Sequence, residues 1–249
     1  MRTPVMAGNW KMYKTARQAA DTVRSLAGLV AGVQNVEVVI CPPFTALAAA
    51  VEAAKGSGVA IGAQDCYWEK EGAFTGEVAV PMIADLGCRH CIVGHSERRQ
   101  FFGETDATVD KKVAAVLAQG LGCIACVGET LAEREAGQTF AVLERQIRSG
   151  LARHLAAPRL VVAYEPVWAI GTGKTATPVQ AQEAHAFIRG VVAQAATPAA
   201  AQAVRILYGG SEKPDNIAAL MAQPDVDGGL VGGASLDAAS FARIVRFRG

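Results

Sequence analysis

The sequence predicts an α/β fold in which eight parallel strands alternate with helices and close as a single (β/α)8 barrel over residues 1–249. Eight short β-branched runs recur at a mean spacing of about 30 residues, the size of one strand–helix unit. The segments between them carry helical period. No Pro-, Gly- or Ser-rich linker divides the chain, and its 249 residues suit one large domain. Strand count and periodicity alone also admit a doubly wound sheet; eight consecutive units without a linker favour closure.

Taken in order, the strand runs are Val5–Asn9, Val36–Cys41, Val59–Gln64, His90–His95, Gly122–Val127, Leu160–Glu165, Val204–Gly209 and Gly228–Gly232. Near-continuous apolar stretches such as Leu160-Val161-Val162-Ala163 suit a parallel sheet covered on both faces. Among the helices, Val109, Val113, Val116 and Leu117 fall on one face, and Gly120 stands where a stop belongs. Ala184, Phe187, Ile188, Val191 and Val192 repeat the pattern behind Thr177-Pro178-Val179-Gln180, a capping box with proline at the first helical position. The Ala-rich stretch Ala193–Ala203, broken by Pro198, reads as a helix end followed by a surface loop.

Composition narrows the function. Half the residues are hydrophobic (51%), enough for a sizeable core, while 6% aromatics argue against a base-stacking surface. A net charge of +1 without Lys or Arg runs argues against nucleic acid or an anionic membrane as partners. An anionic ligand must then be small and locally held. No run of about 18 apolar residues predicts a membrane span. Met1–Gly8 enters a strand at once, without the apolar stretch of a secretory leader, so the expected compartment is the cytoplasm. Cys88/Cys91 and Cys123/Cys126 imitate zinc pairs. Residues three apart on a strand face opposite ways, so Cys123 and Cys126 cannot share an ion; buried free thiols are expected, and no metal.

Barrel enzymes carry their working residues at the C-terminal ends of strands. Those ends supply Asn9 and Lys11 after the first strand, His95 after the fourth and Glu165 after the sixth. Each alone has an ordinary reading, as a surface charge, a core histidine or a loop acid; together they put a cation, an imidazole and a carboxylate on one rim. The last two strands end in Gly209-Gly210-Ser211 and Gly232-Gly233. Paired glycines let backbone N–H groups approach an anion, so these loops are candidate phosphate sites. His90, His154 and His185 lack such a setting and read as structural. Ile170–Thr175 imitates the end of a nucleotide-binding P-loop, but Trp168 stands where its first glycine is required.

Asn9-Trp10-Lys11-Met12, Gly94–Arg99, Ala163–Gly173, Tyr208–Ser211 and Leu230–Leu236 together resemble the signatures of the triosephosphate isomerases, in order and across almost the whole chain. The resemblance implies a glycolytic and gluconeogenic aldose–ketose isomerase without a cofactor. It would interconvert dihydroxyacetone phosphate and D-glyceraldehyde 3-phosphate through an enediolate. It implies Glu165 as catalytic base, His95 as electrophile, and Lys11 with Asn9 holding the substrate and its developing charge. A neutral imidazole tuned by a helix N-terminus is a known property of that family, with which His95-Ser96-Glu97 is compatible. Pro166–Ala176 matches the family's lid, and Gly171, Ser211, Gly232 and Gly233 its phosphate contacts. Gly72–Glu77 resembles the loop that enters a neighbouring subunit, which implies a homodimer. The departures are Tyr13-Lys14 after the first motif and Glu212 where an apolar residue is usual.

Two other classes compete for the same rim. A Schiff-base aldolase needs a lysine within a strand, and Lys11 lies after one. A non-catalytic sugar-phosphate sensor has little reason to keep base, electrophile and lid together.

Overall fold

Every strand is covered on both faces, which is why the strand runs are nearly unbroken apolar stretches. The computed structural model describes residues 2–170 and 176–248. Its strands are β1 (Val5–Asn9), β2 (Glu37–Cys41), β3 (Val59–Ala63), β4 (His90–Val93), β5 (Gly122–Val127), β6 (Leu160–Tyr164), β7 (Arg205–Tyr208) and β8 (Gly228–Val231). They pair in sequence order, all parallel, and β8 returns to β1 with Val5 opposite Gly228, so the sheet is a closed barrel. The doubly wound alternative is thereby excluded.

Alternation along each strand divides the core in two. Val5, Ala7, Ile124, Val161 and Leu207 fill the barrel interior. Met6, Val38, Val93, Val162 and Ile206 face outward against the helices. Cys126 belongs to the inner group and Cys123 to the outer, as the strand period requires; all six cysteines are buried and free. Gln64, Gly94, His95, Glu165, Gly209 and Gly232 have all left the ladder, so the strands end one or two residues earlier than the apolar runs suggest. Those residues open the loops that carry the site. At the β8–β1 seam Gly228 has φ +145°, and a Cβ there would stand 1.9 Å from the Val5 carbonyl oxygen, so only glycine allows the ring to close.

The helix Asp106–Ala118 buries Val109, Val113 and Val116, and is followed by Gly120 at φ +75°. Thr177 caps the helix Pro178–Ala195: its hydroxyl accepts from the Gln180 N–H at 3.2 Å, and its own N–H donates back to Gln180 Oε1 at 2.9 Å. One segment departs from expectation. Pro198–Ala203 is a second short helix rather than a surface loop, with Pro198 at its first position and the Thr197 hydroxyl accepting from the Ala200 N–H. Thr-Pro is a start signal, and it outweighs the break that proline makes in the preceding run. Among the described residues no helix is long and apolar enough to cross a membrane.

Ionic contacts tie the two ends of the barrel. At the N-terminal end, Glu37 of β2 meets His90 of β4 at 2.8 Å and also pairs with Arg205 of β7. At the other end, Arg98 and Lys112 converge on Asp65 at 2.8 and 2.7 Å, anchoring the short helix that follows β4.

His90 and Arg205, against the cost of burial, hold the Glu37 carboxyl down at about 2. A depressed folded-state value adds stability that is present above the ordinary carboxylate range and lost as pH falls towards 2. Glu37→Gln should therefore cost about 1–3 kcal/mol at pH 7, allowing for solvent screening, and progressively less between pH 4.5 and 2. Urea unfolding of both proteins at several pH values measures the gap; a gap that does not shrink on acidification contradicts the assignment.

Candidate active site

Asn9, Lys11, His95 and Glu165 come together at the C-terminal mouth of the barrel. Glu165 is the first residue beyond β6, and its N–H donates to the Val127 carbonyl of β5 at 2.8 Å, so the ladder's last rung aims its side chain. Its carboxylate is nearly fully buried. Oε1 lies 2.9 Å from His95 Nε2, and Oε2 accepts the Ser96 N–H at 2.9 Å. Burial alone would raise this carboxyl. His95, the Ser96 N–H and Lys11 outweigh it and keep Glu165 below the usual carboxylate range, as an anion.

His95 is the N-cap of the helix Ser96–Phe102 and follows Gly94, which turns the chain at φ +72°. Its Nδ1 accepts the Glu97 N–H at 3.2 Å. Burial opposes a charge on the ring, while the adjacent Glu165 carboxylate favours one and prevails as long as the two stay in contact. The Glu97 N–H resists the second proton, because an imidazolium would turn two donors on each other. Nε2 is therefore the nitrogen that carries a proton and donates it to Glu165.

Lys11 sits at φ +51°, a left-handed conformation costly for a side-chain-bearing residue. Its neighbours fix it there: its N–H donates to Asn9 Oδ1 at 3.0 Å and its carbonyl accepts from Gln64 Nε2 at 2.9 Å. The ammonium reaches across to Glu97 Oε1 at 2.6 Å, with half-buried side chains on both sides. Glu97 thus holds Lys11 by its side chain and His95 by its main chain. Tyr13 is exposed and Lys14 lies over the Trp10 ring at 5.3 Å, so the departures after the first motif pack on its outside.

The glycine loops flank this network. A Cβ on Gly209 would stand 3.0 Å from Glu165 Cγ, and one on Gly232 would stand 3.9 Å from Lys11 Cε. Asn216 braces the first loop by donating to the Ser211 carbonyl and accepting the Lys213 N–H. The second is braced by Ser235, whose hydroxyl donates to the Gly232 carbonyl at 2.6 Å and whose own carbonyl accepts from Trp10 Nε1 at 2.9 Å. Gly233 opens a single 3-10 turn to Leu236. The loops that carry Ser211, Gly232 and Gly233 thus begin beside Glu165 and Lys11. Gly171, with the rest of 171–175 in the expected lid, lies outside the described residues.

The first half of that segment is described. Val167–Ala169 forms a 3-10 turn whose Trp168 Nε1 donates to Glu129 Oε1 at 3.0 Å. The same oxygen accepts from the Tyr164 hydroxyl at 3.1 Å and from Arg134 at 3.2 Å. Glu129 is fully buried beneath the turn, a role with no local sequence signal because its partners come from distant loops. A cleft of about 820 Å³ runs from Glu165 under Val167–Ile170 towards Thr130 and Arg99. It lies on the side of Glu165 away from the glycine loops.

Comparison with known proteins agrees with this geometry. The family model described as triosephosphate isomerase matches residues 4–248. A triosephosphate isomerase of Moorella thermoacetica is 62% identical over 249 residues, 99% of each chain. One of Trichlorobacter lovleyi is 59% identical over 251 residues, covering all of both, and one of Endomicrobium trichonymphae 56% over 249, 99% of each. With near-complete coverage at such identity, and with the rim residues gathered as described, the chain belongs to the triosephosphate isomerase family.

Proposed function

We propose that this chain interconverts dihydroxyacetone phosphate and D-glyceraldehyde 3-phosphate, with Glu165 as the base that moves the proton. The observation that carries the reading is the buried contact of Glu165 with His95 at 2.9 Å, beside Lys11 and two glycine loops. Glu165 takes a proton from the carbon next to the carbonyl, and the electrons of that C–H bond become the C=C bond of an enediolate. His95 Nε2–H donates to the oxygen on which charge builds. Lys11, oriented through Asn9, offsets that charge. The protonated Glu165 then returns the proton to the neighbouring carbon, while the proton of the first hydroxyl passes through His95 to the other oxygen, so the carbonyl and hydroxyl oxygens exchange roles.

The contact between Glu165 and His95 has a consequence for this cycle. Base and electrophile are bonded to each other, so a substrate oxygen must take over the His95 N–H before Glu165 is free. Once that happens, burial acts on Glu165 with less opposition and makes its carboxylate a stronger base. The imidazole, no longer bonded to Glu165, keeps burial, Lys11 and the Glu97 N–H in favour of the neutral ring, against the Glu97 carboxylate 3.7 Å from Nδ1.

Ser211, Gly232, Gly233 and, by family resemblance, Gly171 hold the phosphate through N–H groups, with the segment from Pro166 to Ala176 closing over it. Closure excludes water from an enediolate that can otherwise expel phosphate. The loop Gly72–Glu77 would enter a second copy of the chain. Every residue of it is exposed, and Phe74 stands 41% open with the Tyr67 ring tilted against it at 4.6 Å. Met12 and Tyr13, at 93% and 58% exposure beside Lys11, offer a matching uncovered apolar rim. A homodimer acting on a small triose phosphate in the cytoplasm is the complete reading.

Two outcomes test it. Glu165→Asp withdraws the carboxylate by roughly 1 Å, and misplacement of that size costs on the order of 10²-fold in rate. Turnover in a coupled isomerase assay should fall by about that factor or more, while glycerol 3-phosphate binds nearly as before. Near-normal turnover in the folded variant sinks the assignment. Thr75→Glu should yield monomers of poor activity; sedimentation that finds the unaltered protein monomeric and fully active at micromolar concentration refutes the dimer.

A further inference from the structure

Glu212 has no place in the chemistry above, and its surroundings are unusual for an acid. The side chain is buried at 4% exposure, and neither carboxyl oxygen has a hydrogen-bond partner. Its own N–H and that of Leu230 face the carboxyl without reaching hydrogen-bond geometry. The fold makes room for it: Gly229 of β8 lacks the side chain that would collide, since a Cβ there would stand 2.6 Å from Glu212 Oε1. Gly229 pairs with Tyr208 of β7, whose buried hydroxyl is also without a hydrogen-bond partner. The carboxyl therefore occupies a cradle on the helix-facing side of the β7–β8 seam, one residue after Ser211 and directly below the loops that begin at Gly209 and Gly232.

We propose that Glu212 is a positioning residue of the phosphate pocket, which lets the two glycine loops accept a phosphate dianion only while its carboxyl carries a proton. The inference rests on the reading of those loops as the phosphate site. Among the described residues no cation balances the carboxyl. Glu165 faces it from the end of β6 and Tyr208 from β7, one an anion and the other a neutral phenol. From β8 it meets Gly229 and the Leu230 N–H, and the helix Ile217–Met221 that follows buries Ile217 and Leu220. His185, whose ring stands 6.4 Å from that of Tyr208, is held near 4 by burial and so is uncharged. Burial first, and the Glu165 charge in addition, push the Glu212 carboxyl well above the carboxylate range. Protonated, it is a neutral filler that leaves the loop N–H groups to the ligand. Ionised, it sets a buried negative charge beneath a site built for a dianion.

The sign of the linkage gives a test in two readouts. A carboxyl raised in the folded state takes up a proton on folding, so stability falls as pH rises from the unfolded value and levels off above the folded one. Compared with Glu212→Gln, and with Glu212→Val as a second neutral filler, the wild-type folding constant should fall about tenfold per pH unit over that interval. Affinity for glycerol 3-phosphate, a dianion above pH 8 given a second pKa of about 6, should be followed calorimetrically from pH 6 to 10. Wild-type affinity should begin to fall at the pH where the stability gap levels off, by about tenfold or more in excess of either variant. KM for the triose phosphate should rise with it while kcat keeps the profile of the variants. A stability gap independent of pH, or parallel affinity profiles in all three proteins, overturns the inference alone. Failure of the wild type to bind the probe at any pH overturns the phosphate reading, and this inference with it.

Discussion

The contact between His95 and Glu165 is the constraint around which the mouth of the barrel is arranged. A carboxylate removed from water is expensive to keep ionised, and an imidazole alone does not stabilise it. The contact survives because each partner is bonded on its far side as well: Glu165 to the Ser96 N–H, His95 to the Glu97 N–H. Both N–H groups belong to the first turn of one helix, where main-chain donors lack internal partners. The helix must therefore start at His95 and nowhere else. Its anchors, Arg98 on Asp65 and Arg99 on Asp106, are as much a part of the site as the residues that face the substrate.

The strain at Lys11 follows from the same requirement. Its ammonium must meet Glu97 across the barrel mouth, 86 residues away in sequence, and from the end of β1 the chain does so in a left-handed turn. Asn9 and Gln64 stabilise that turn by bonding its N–H and carbonyl. Glu97 then serves twice, as partner to the cation and as donor to the imidazole, so a displacement of either side is transmitted to the other. Such double use explains how three side chains from separate strands stay in register without a bound ligand.

The barrel and the identity of the rim residues are legible in the sequence because both depend on local pattern. Alternation puts Val5 and Ala7 inside, and a chemical group just beyond a parallel strand can only lie at the mouth. The network that holds the rim is not legible, since Glu97 gives no hint that it bonds Lys11, nor Glu129 that it bonds Tyr164 and Trp168. Those partners are selected by barrel curvature, which brings loops dozens of residues apart into contact. The Pro198 helix was open to the same local reading that finds the cap at Thr177, and escapes it only because the alanines around it suggest a fraying end. Glu212 stands out by identity alone. A charged residue in a loop next to a candidate anion site ordinarily faces water, and nothing local reveals that Gly229 leaves a space for it.

Three of the buried carboxyl groups at this end of the molecule meet the cost of burial in three different ways. Glu165 remains an anion because an imidazole, a helix N–H and a lysine outweigh desolvation. Glu129 puts three donors on one oxygen, from Tyr164, Trp168 and Arg134, and in doing so ties down the start of the lid segment. Glu212 has, among the described residues, no charge partner and no hydrogen-bond donor in bonding geometry, and takes the remaining route, retaining its proton. The first two arrangements are held by the partners that surround the carboxyl. The third responds to the proton concentration, since the only thing that makes it acceptable is the proton itself. If the glycine loops above it hold a phosphate dianion as proposed, an acid of that kind couples ligand affinity to pH without touching the ligand.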